Sequence, residues 1–202
     1  SMVISNQVTE QQLQILAKRK NFAGELALSA FYLKQGDYVL AQQILDQAKA
    51  QQRVNNLLML IQTDIYLGQN KTTAAYNSIQ SAARVMPENR ALAFKLAEVF
   101  IRQKNASAAI ALIQRFSSKN PRDVQAWRLM QQAANIDQQS PLRAINVLRY
   151  RAEVEYWSGW EENAIKSLLH AQRLVKDKNN ALLSAQVKIR LNEMQAERQL
   201  RI

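Results

Sequence analysis

Cysteine is absent from the 202-residue sequence. Disulfides and thiolate chemistry are therefore excluded, although the lack of cysteine does not fix a compartment. Glycine and proline are scarce, with four and three residues. A sheet protein needs more turn residues than that, so nearly all helix is expected. Histidine occurs once, at His170. No histidine pair can bind zinc, and a surface or half-buried structural histidine is expected. The sequence contains no GxGxxG, no Walker loop and no GxSxG. Carboxylates such as Glu161 and Glu162 read as helix-start residues that suit the helix dipole. No apolar run approaches the roughly 20 residues that a membrane span needs.

What is present is an apolar, basic chain. Hydrophobic residues make up 48%, enough for a packed core rather than global disorder. The net charge is +11. Attraction to nucleic acid, anionic lipid or acidic protein is compatible with that charge. Lys and Arg are scattered, however, and the longest cluster is "AKRKN" at Ala17–Asn21. Scattered charge reads as solvated helix surface, so no nucleic-acid partner is expected. The opening "SMVISNQ" reads as a lead outside the fold, with Ser1 a cloning remnant. The expected division is therefore residues 1–7 as lead and 8–202 as one domain.

Three segments align without a gap: "YLKQGDYVLAQQILDQAKAQQRVN" from Tyr32, "YLGQNKTTAAYNSIQSAARVMPEN" from Tyr66 and "FIRQKNASAAIALIQRFSSKNPRD" from Phe100. Ala41, Ala75 and Ala109 fall in register, as do Leu45, Ile79 and Ile113, and Pro87 and Pro121. The even step from Tyr32 to Tyr66 to Phe100 matches the period of the tetratricopeptide repeat, a pair of antiparallel helices. The alanines are expected where two helices cross closely, and the prolines where the second helix stops. The turn between helices needs a residue that tolerates positive φ. Gly36 and Asn70 fit, and Asn105 is expected to take the role in the third copy.

A later copy, "YWSGWEENAIKSLLHAQRL" from Tyr156, has Gly159 at the turn and Ala164 at the small position. Ala164 falls well beyond the place one repeat after Ala109, so a helix-sized piece has been inserted. The predicted helices are 9–20, 22–35, 38–50, 55–68, 72–85, 89–103, 106–118, 123–136, 141–157, 161–176 and 180–200. Thr9 with Gln12 resembles a capping box, and Ser140-Pro141 an N-cap followed by a first-turn proline. Leu183, Val187, Leu191 and Met194 put one apolar side on the last helix, as a terminal cap requires. The expected fold class is an all-α, tetratricopeptide-repeat-like right-handed α-solenoid with an out-of-phase C-terminal repeat and a capping helix.

Solenoids bind protein segments along a concave face built from the first helix of each pair. By register, the partner-binding residues expected there are Leu60, Asp64, Phe94, Glu98, Arg102, Arg128, Arg149, Glu153 and Tyr156. Leu26, Ala30 and Leu57 join them in the same register. Leu60 and Phe94 also fit inter-repeat core. A clamp for acidic peptide tails wants Asn where this sequence has Ala30, Asp64 and Glu98. An RNA-reading repeat wants a repeated polar series there, which these three residues do not form. Trp157 and Trp160 flank the turn at Gly159. Either both close the core beneath the last helix, or at least one makes an interdomain contact.

"TDIYLGQNK" at Thr63–Lys71 and "RAEVEYWSGWEENAIKSLL" at Arg151–Leu169 resemble the C-terminal repeat region of the beta-barrel assembly-enhancing proteases. The likeness extends more weakly over about residues 25–198. That family consists of periplasmic HExxH zinc metallopeptidases of Gram-negative bacteria. The resemblance implies a protein-interaction module of an envelope zinc protease that binds clients or outer-membrane assembly machinery in quality control. It also implies a periplasmic location, zinc in a peptidase domain elsewhere, and that domain as an intramolecular partner of Trp157 and Trp160. No HExxH occurs in these 202 residues. Catalytic residues therefore transfer to no position, and the sequence looks like an excised repeat domain without enzyme activity of its own. The other readings are a stand-alone envelope-assembly adaptor unrelated to a protease, and an RNA-binding helical repeat.

Overall fold

A computed structural model describes residues 10–18, 21–53 and 55–200. The lead expected at 1–7 and the capping-box residue Thr9 lie outside the described residues. Eleven helices are found among them, and no strand. They are α1 (Glu10–Lys18), α2 (Phe22–Lys34), α3 (Tyr38–Lys49), α4 (Asn56–Gly68), α5 (Thr72–Val85), α6 (Arg90–Arg102), α7 (Ala106–Lys119), α8 (Val124–Ile136), α9 (Arg143–Trp157), α10 (Glu161–Lys176) and α11 (Ala181–Gln199). The fold class is all-α and tetratricopeptide-repeat-like, as expected. The chain divides into two compact units, Ser1–Val99 and Phe100–Ile202.

Helix starts follow a polar series that keeps the repeat step. Asn21, Asn55, Asn89 and Asp123 are evenly spaced, each one repeat beyond the last. Their side-chain oxygens accept from the backbone N–H of Gly24, Leu57, Leu92 and Ala126. Each satisfies a donor that the first turn would otherwise leave orphaned. The series extends to Asp123, so α8 is in phase with α2, α4 and α6. The phase break comes after α8. Residues 137–142 separate α8 from α9, whereas the shorter links 35–37 and 69–71 join α2 to α3 and α4 to α5. The insertion is thus a longer connection and a re-paired helix, and α9 is of ordinary length. Ser140 does not cap α9. Its Oγ accepts from the Leu142 N–H at 3.2 Å and shapes a turn through Pro141, after which the helix starts at Arg143.

The tight turns carry the expected left-handed residue, with one correction. Positive φ occurs at Gly36 (79°), Asn70 (58°) and Lys104 (62°), again one repeat apart. Asn105 does not take the role. It is the N-cap of α7, and its side chain accepts from the Ala108 N–H at 3.2 Å. Lys104 therefore holds a conformation that costs a non-glycine residue about 1–2 kcal/mol. Glycine there loses more freedom on folding, which offsets part of the gain. Lys104→Gly is expected to raise stability by about 0.5–1 kcal/mol in thermal or urea unfolding. No change, or a loss, would contradict that account.

The core of the first unit joins α2, α3 and α4 through Phe22, Leu26, Ala41, Leu45, Ile61 and Ile65. Ser29 is fully buried, and its Oγ donates to the carbonyl of Ala41 at 2.7 Å. Two small residues thus let the α2 and α3 backbones approach. Thr63 takes the place of Ser29 in the next repeat, and its hydroxyl lies 2.8 Å from that of Ser78 on α5. Ala75 is fully buried as well. In the second unit, Ala152, Tyr156, Ala164, Leu168, Leu191 and Met194 join α9, α10 and α11. Ile145, Ala171, Val175, Leu183 and Val187 continue that core. The apolar side of α11 is therefore buried as the cap pattern requires.

Candidate functional site

In the first unit, Asp64 on α4 and Glu98 on α6 meet through a residue that register reading passed over. Lys95 donates its Nζ–H to Asp64 Oδ1 and to Glu98 Oε2, each at 2.6 Å. Burial pushes the Lys95 ammonium down, and the two carboxylates more than offset it, so the net shift is upward. Asp64 and Glu98 are thus tied to each other through one cation. Leu60 is half-buried nearby on α4. Phe94 is 6% exposed, with the Arg90 guanidinium 4.0 Å above its ring centroid. Phe94 therefore belongs to the interior. Leu26 is also interior, whereas Ala30 and Leu57 are exposed.

Arg102 and Arg128 are exposed. In the second unit, Glu153, Tyr156 and Trp157 cluster on α9 around Arg190 from α11. Arg190 donates from Nε and Nη2 to the two Glu153 oxygens at 2.7 and 2.9 Å. Trp157 Nε1–H donates to Glu153 Oε2 at 3.1 Å. The Arg190 guanidinium lies 5.2 Å from the Tyr156 ring and 5.9 Å from the Trp157 ring. The Tyr156 hydroxyl donates to Glu197, also on α11. Glu153 and Tyr156 are buried, so both bind α9 to α11 rather than lining an open face. The Arg122 guanidinium also lies over Trp157, 5.8 Å from its ring centroid.

The two tryptophans at the Gly159 turn part company. Trp157 is half-buried against Tyr156, edge to face at 5.0 Å. Trp160 is 64% exposed, so the pair does not jointly close the core beneath α11. Its backbone N–H donates to the Glu155 carbonyl at 2.8 Å, which fixes the turn without holding the ring. Glu162 beside it pairs with Arg198 of α11 at 2.6 Å.

Arg149 is the exceptional charge of the second unit. It is half-buried on α9. Nη1–H donates to Asn146 Oδ1 and Nη2–H to Gln186 Oε1, both at 3.2 Å and both to neutral acceptors. Burial pushes its guanidinium below the ordinary arginine value, and Tyr150 and Glu153 only partly oppose that. Tyr150 stacks on Trp127 of α8, with ring centroids 6.3 Å apart. Its phenol is pushed up by burial.

The residues do not fit a zinc site. His170 is exposed on α10, and among the described residues no group of three or more His, Cys, Asp or Glu could hold a metal ion. No described helix is long and apolar enough to cross a membrane.

Residues 66–133 match the family model of the tetratricopeptide repeat. The chain is 30% identical over 131 residues to the beta-barrel assembly-enhancing protease of Yersinia pestis, covering 63% of this chain and 27% of that protein. It is 29% identical over 178 residues to the protein of the same name from Escherichia coli K12, covering 85% of this chain and 35% of that protein. The chain thus spans about a third or less of the length of these relatives. With its evenly repeated helix pairs, buried crossing alanines and these likenesses, the chain carries tetratricopeptide repeats and is similar in sequence to part of the beta-barrel assembly-enhancing proteases.

Proposed function

We propose that the chain is the protein-binding module of a periplasmic zinc metalloprotease that acts in quality control of outer-membrane barrel proteins. The observation that carries this is the likeness to proteases named for barrel assembly, which covers 85% of the chain while offering no metal site among its described residues. Helix-pair repeats present extended side-chain surfaces suited to polypeptide partners. In this reading the module holds clients or assembly machinery, and the zinc chemistry resides in a peptidase domain of the parent protein. Tethering then raises the local concentration of clients at the peptidase without new chemistry. Leu60, Asp64 and Glu98 in the first unit, and separately Arg102, Arg128 and Arg149 in the second, are the side chains each unit offers to a protein partner. Phe94, Glu153 and Tyr156 support them from within. Trp160, an exposed large aromatic, is the contact for the peptidase domain.

Biolayer interferometry on the immobilised chain is the direct test, with purified barrel-assembly machinery and an unfolded barrel protein as analytes. Saturable binding to at least one is expected. Absence of binding to both would overturn the function. Trp160→Ala should change the chain's stability by less than about 0.5 kcal/mol, as for an exposed residue, while weakening contact with the peptidase domain in the full-length protein. A marked fall in the chain's melting temperature would refute the docking role of Trp160.

A further inference from the structure

Positive charge is concentrated in the second unit. Residues 100–202 hold 17 Lys and Arg against nine Asp and Glu, a net +8 of the chain's +11. Most carboxylates near α9 are engaged: Glu153 by Arg190 and Trp157, and Glu155 by Arg151 and Ser167. Arg149 is left half-buried with amide oxygens as its hydrogen-bond partners. Its guanidinium, partly withdrawn from water, has no directly bonded carboxylate among the described residues: Glu153, the nearby counter-charge, is held by Arg190. Two of its five N–H donors are used, and the amide groups of Asn146 and Gln186 can each supply N–H donors beside it. Trp127 and Tyr150 provide half-buried aromatic surface next to it, with the Arg149 guanidinium 6.0 Å from the Tyr150 ring centroid.

We infer that Arg149, with Asn146 and Gln186, is a seat for a side-chain carboxylate of an acidic protein segment whose neighbouring apolar side chain lies on Trp127 and Tyr150. One planar guanidinium with flanking amide donors matches the two oxygens of a carboxylate. A nucleic-acid strand or an anionic membrane would instead call for rows of cations at phosphate spacing. The surplus charge of the unit steers an acidic segment toward the seat, and the seat fixes its register. This deepens the proposed function by naming the chemistry of the partner, and it rests on that reading.

The test is fluorescence anisotropy of a fluorescein-labelled peptide alternating Glu and Leu, titrated with the whole chain. A twin peptide with Gln for Glu is the control. The Glu peptide is expected to bind, and the Gln twin about tenfold or more weakly. Arg149→Met should lose about tenfold or more, and Arg149→Lys less, because charge survives while the fork is lost. Gln186→Glu is the decisive second variant. Gln186 is exposed, so the fold is unaffected, and the new carboxylate occupies the seat from within. It should weaken peptide binding without lowering the melting temperature. Unchanged binding by Arg149→Met or Gln186→Glu, or equal binding of the two peptides, would overturn the seat. So would tighter, Arg149-dependent binding of polyuridine or of phosphatidylglycerol vesicles. Barrel-assembly machinery that still binds Arg149→Met would remove the seat alone, whereas failure of the parent chain to bind any protein would remove the function beneath it.

Discussion

Glu153→Ala is expected to lower the stability of the chain by about 2–3 kcal/mol, read as a shift in the urea midpoint. The carboxylate is 9% exposed and accepts from Arg190 twice and from Trp157 once. Its removal leaves the Arg190 guanidinium beside two aromatic rings with the exposed Glu193, at 3.0 Å, as its remaining ionic partner among the described residues. Burial works against the Arg190 charge, and Glu153 and Glu193 more than offset it, holding its pKa above the ordinary arginine value. A single truncation loses that compensation and keeps the desolvation. Replacing both partners together, Glu153→Leu with Arg190→Met, should restore most of the loss, because two apolar groups of similar volume need no counter-charge. A double variant no better than Glu153→Ala would show that packing, rather than charge compensation, ties α9 to α11.

Ala75→Leu should cost about 1–3 kcal/mol. Ala75 is fully buried in α5, with Ile79 one turn on and Thr63 of α4 bonded to neighbouring Ser78. Extra methylenes there must separate α4 from α5 or force strained rotamers. Asn77→Leu, on the exposed side of the same helix, should stay within about 0.5 kcal/mol. Similar melting temperatures for the two variants would contradict the close-crossing role of the register alanines.

These two sites show what the sequence reveals and what it hides. Ala75 was legible because a small residue at a fixed step has one packing explanation, and α2 to α8 follow from the same periodicity with ends displaced by at most one residue. Glu153 was legible only as a position on the first helix of a pair. Its partner Arg190 lies 37 residues away, and no local pattern signals a long-range ion pair. Register likewise placed Phe94 and Tyr156 on a binding face, although both are buried. A repeat step assigns helix faces but not which half of a wide apolar face is covered. The capping series Asn21, Asn55, Asn89 and Asp123 was present in the sequence and would have marked α8 as in phase. Lys104 escaped because Asn is the commoner left-handed residue, and here the asparagine is needed one position later as a cap.

Within each unit, the described helix packing joins elements that are adjacent or next but one along the chain, as where α2 meets α4 and α9 meets α11. That arrangement sets the tempo at which the molecule assembles. Short loops close before long ones, so a chain of low contact order reaches its transition state without a large entropic search. Each helix pair can form as soon as its second helix leaves the ribosome, since its partner is already present. Each core is then completed by the helix that follows: Ile61 and Ile65 of α4 for α2 and α3, and Leu191 and Met194 of α11 for α9 and α10. The core of α9 and α10 thus waits on α11, and destabilising the α9–α11 tie should speed unfolding more than it slows folding.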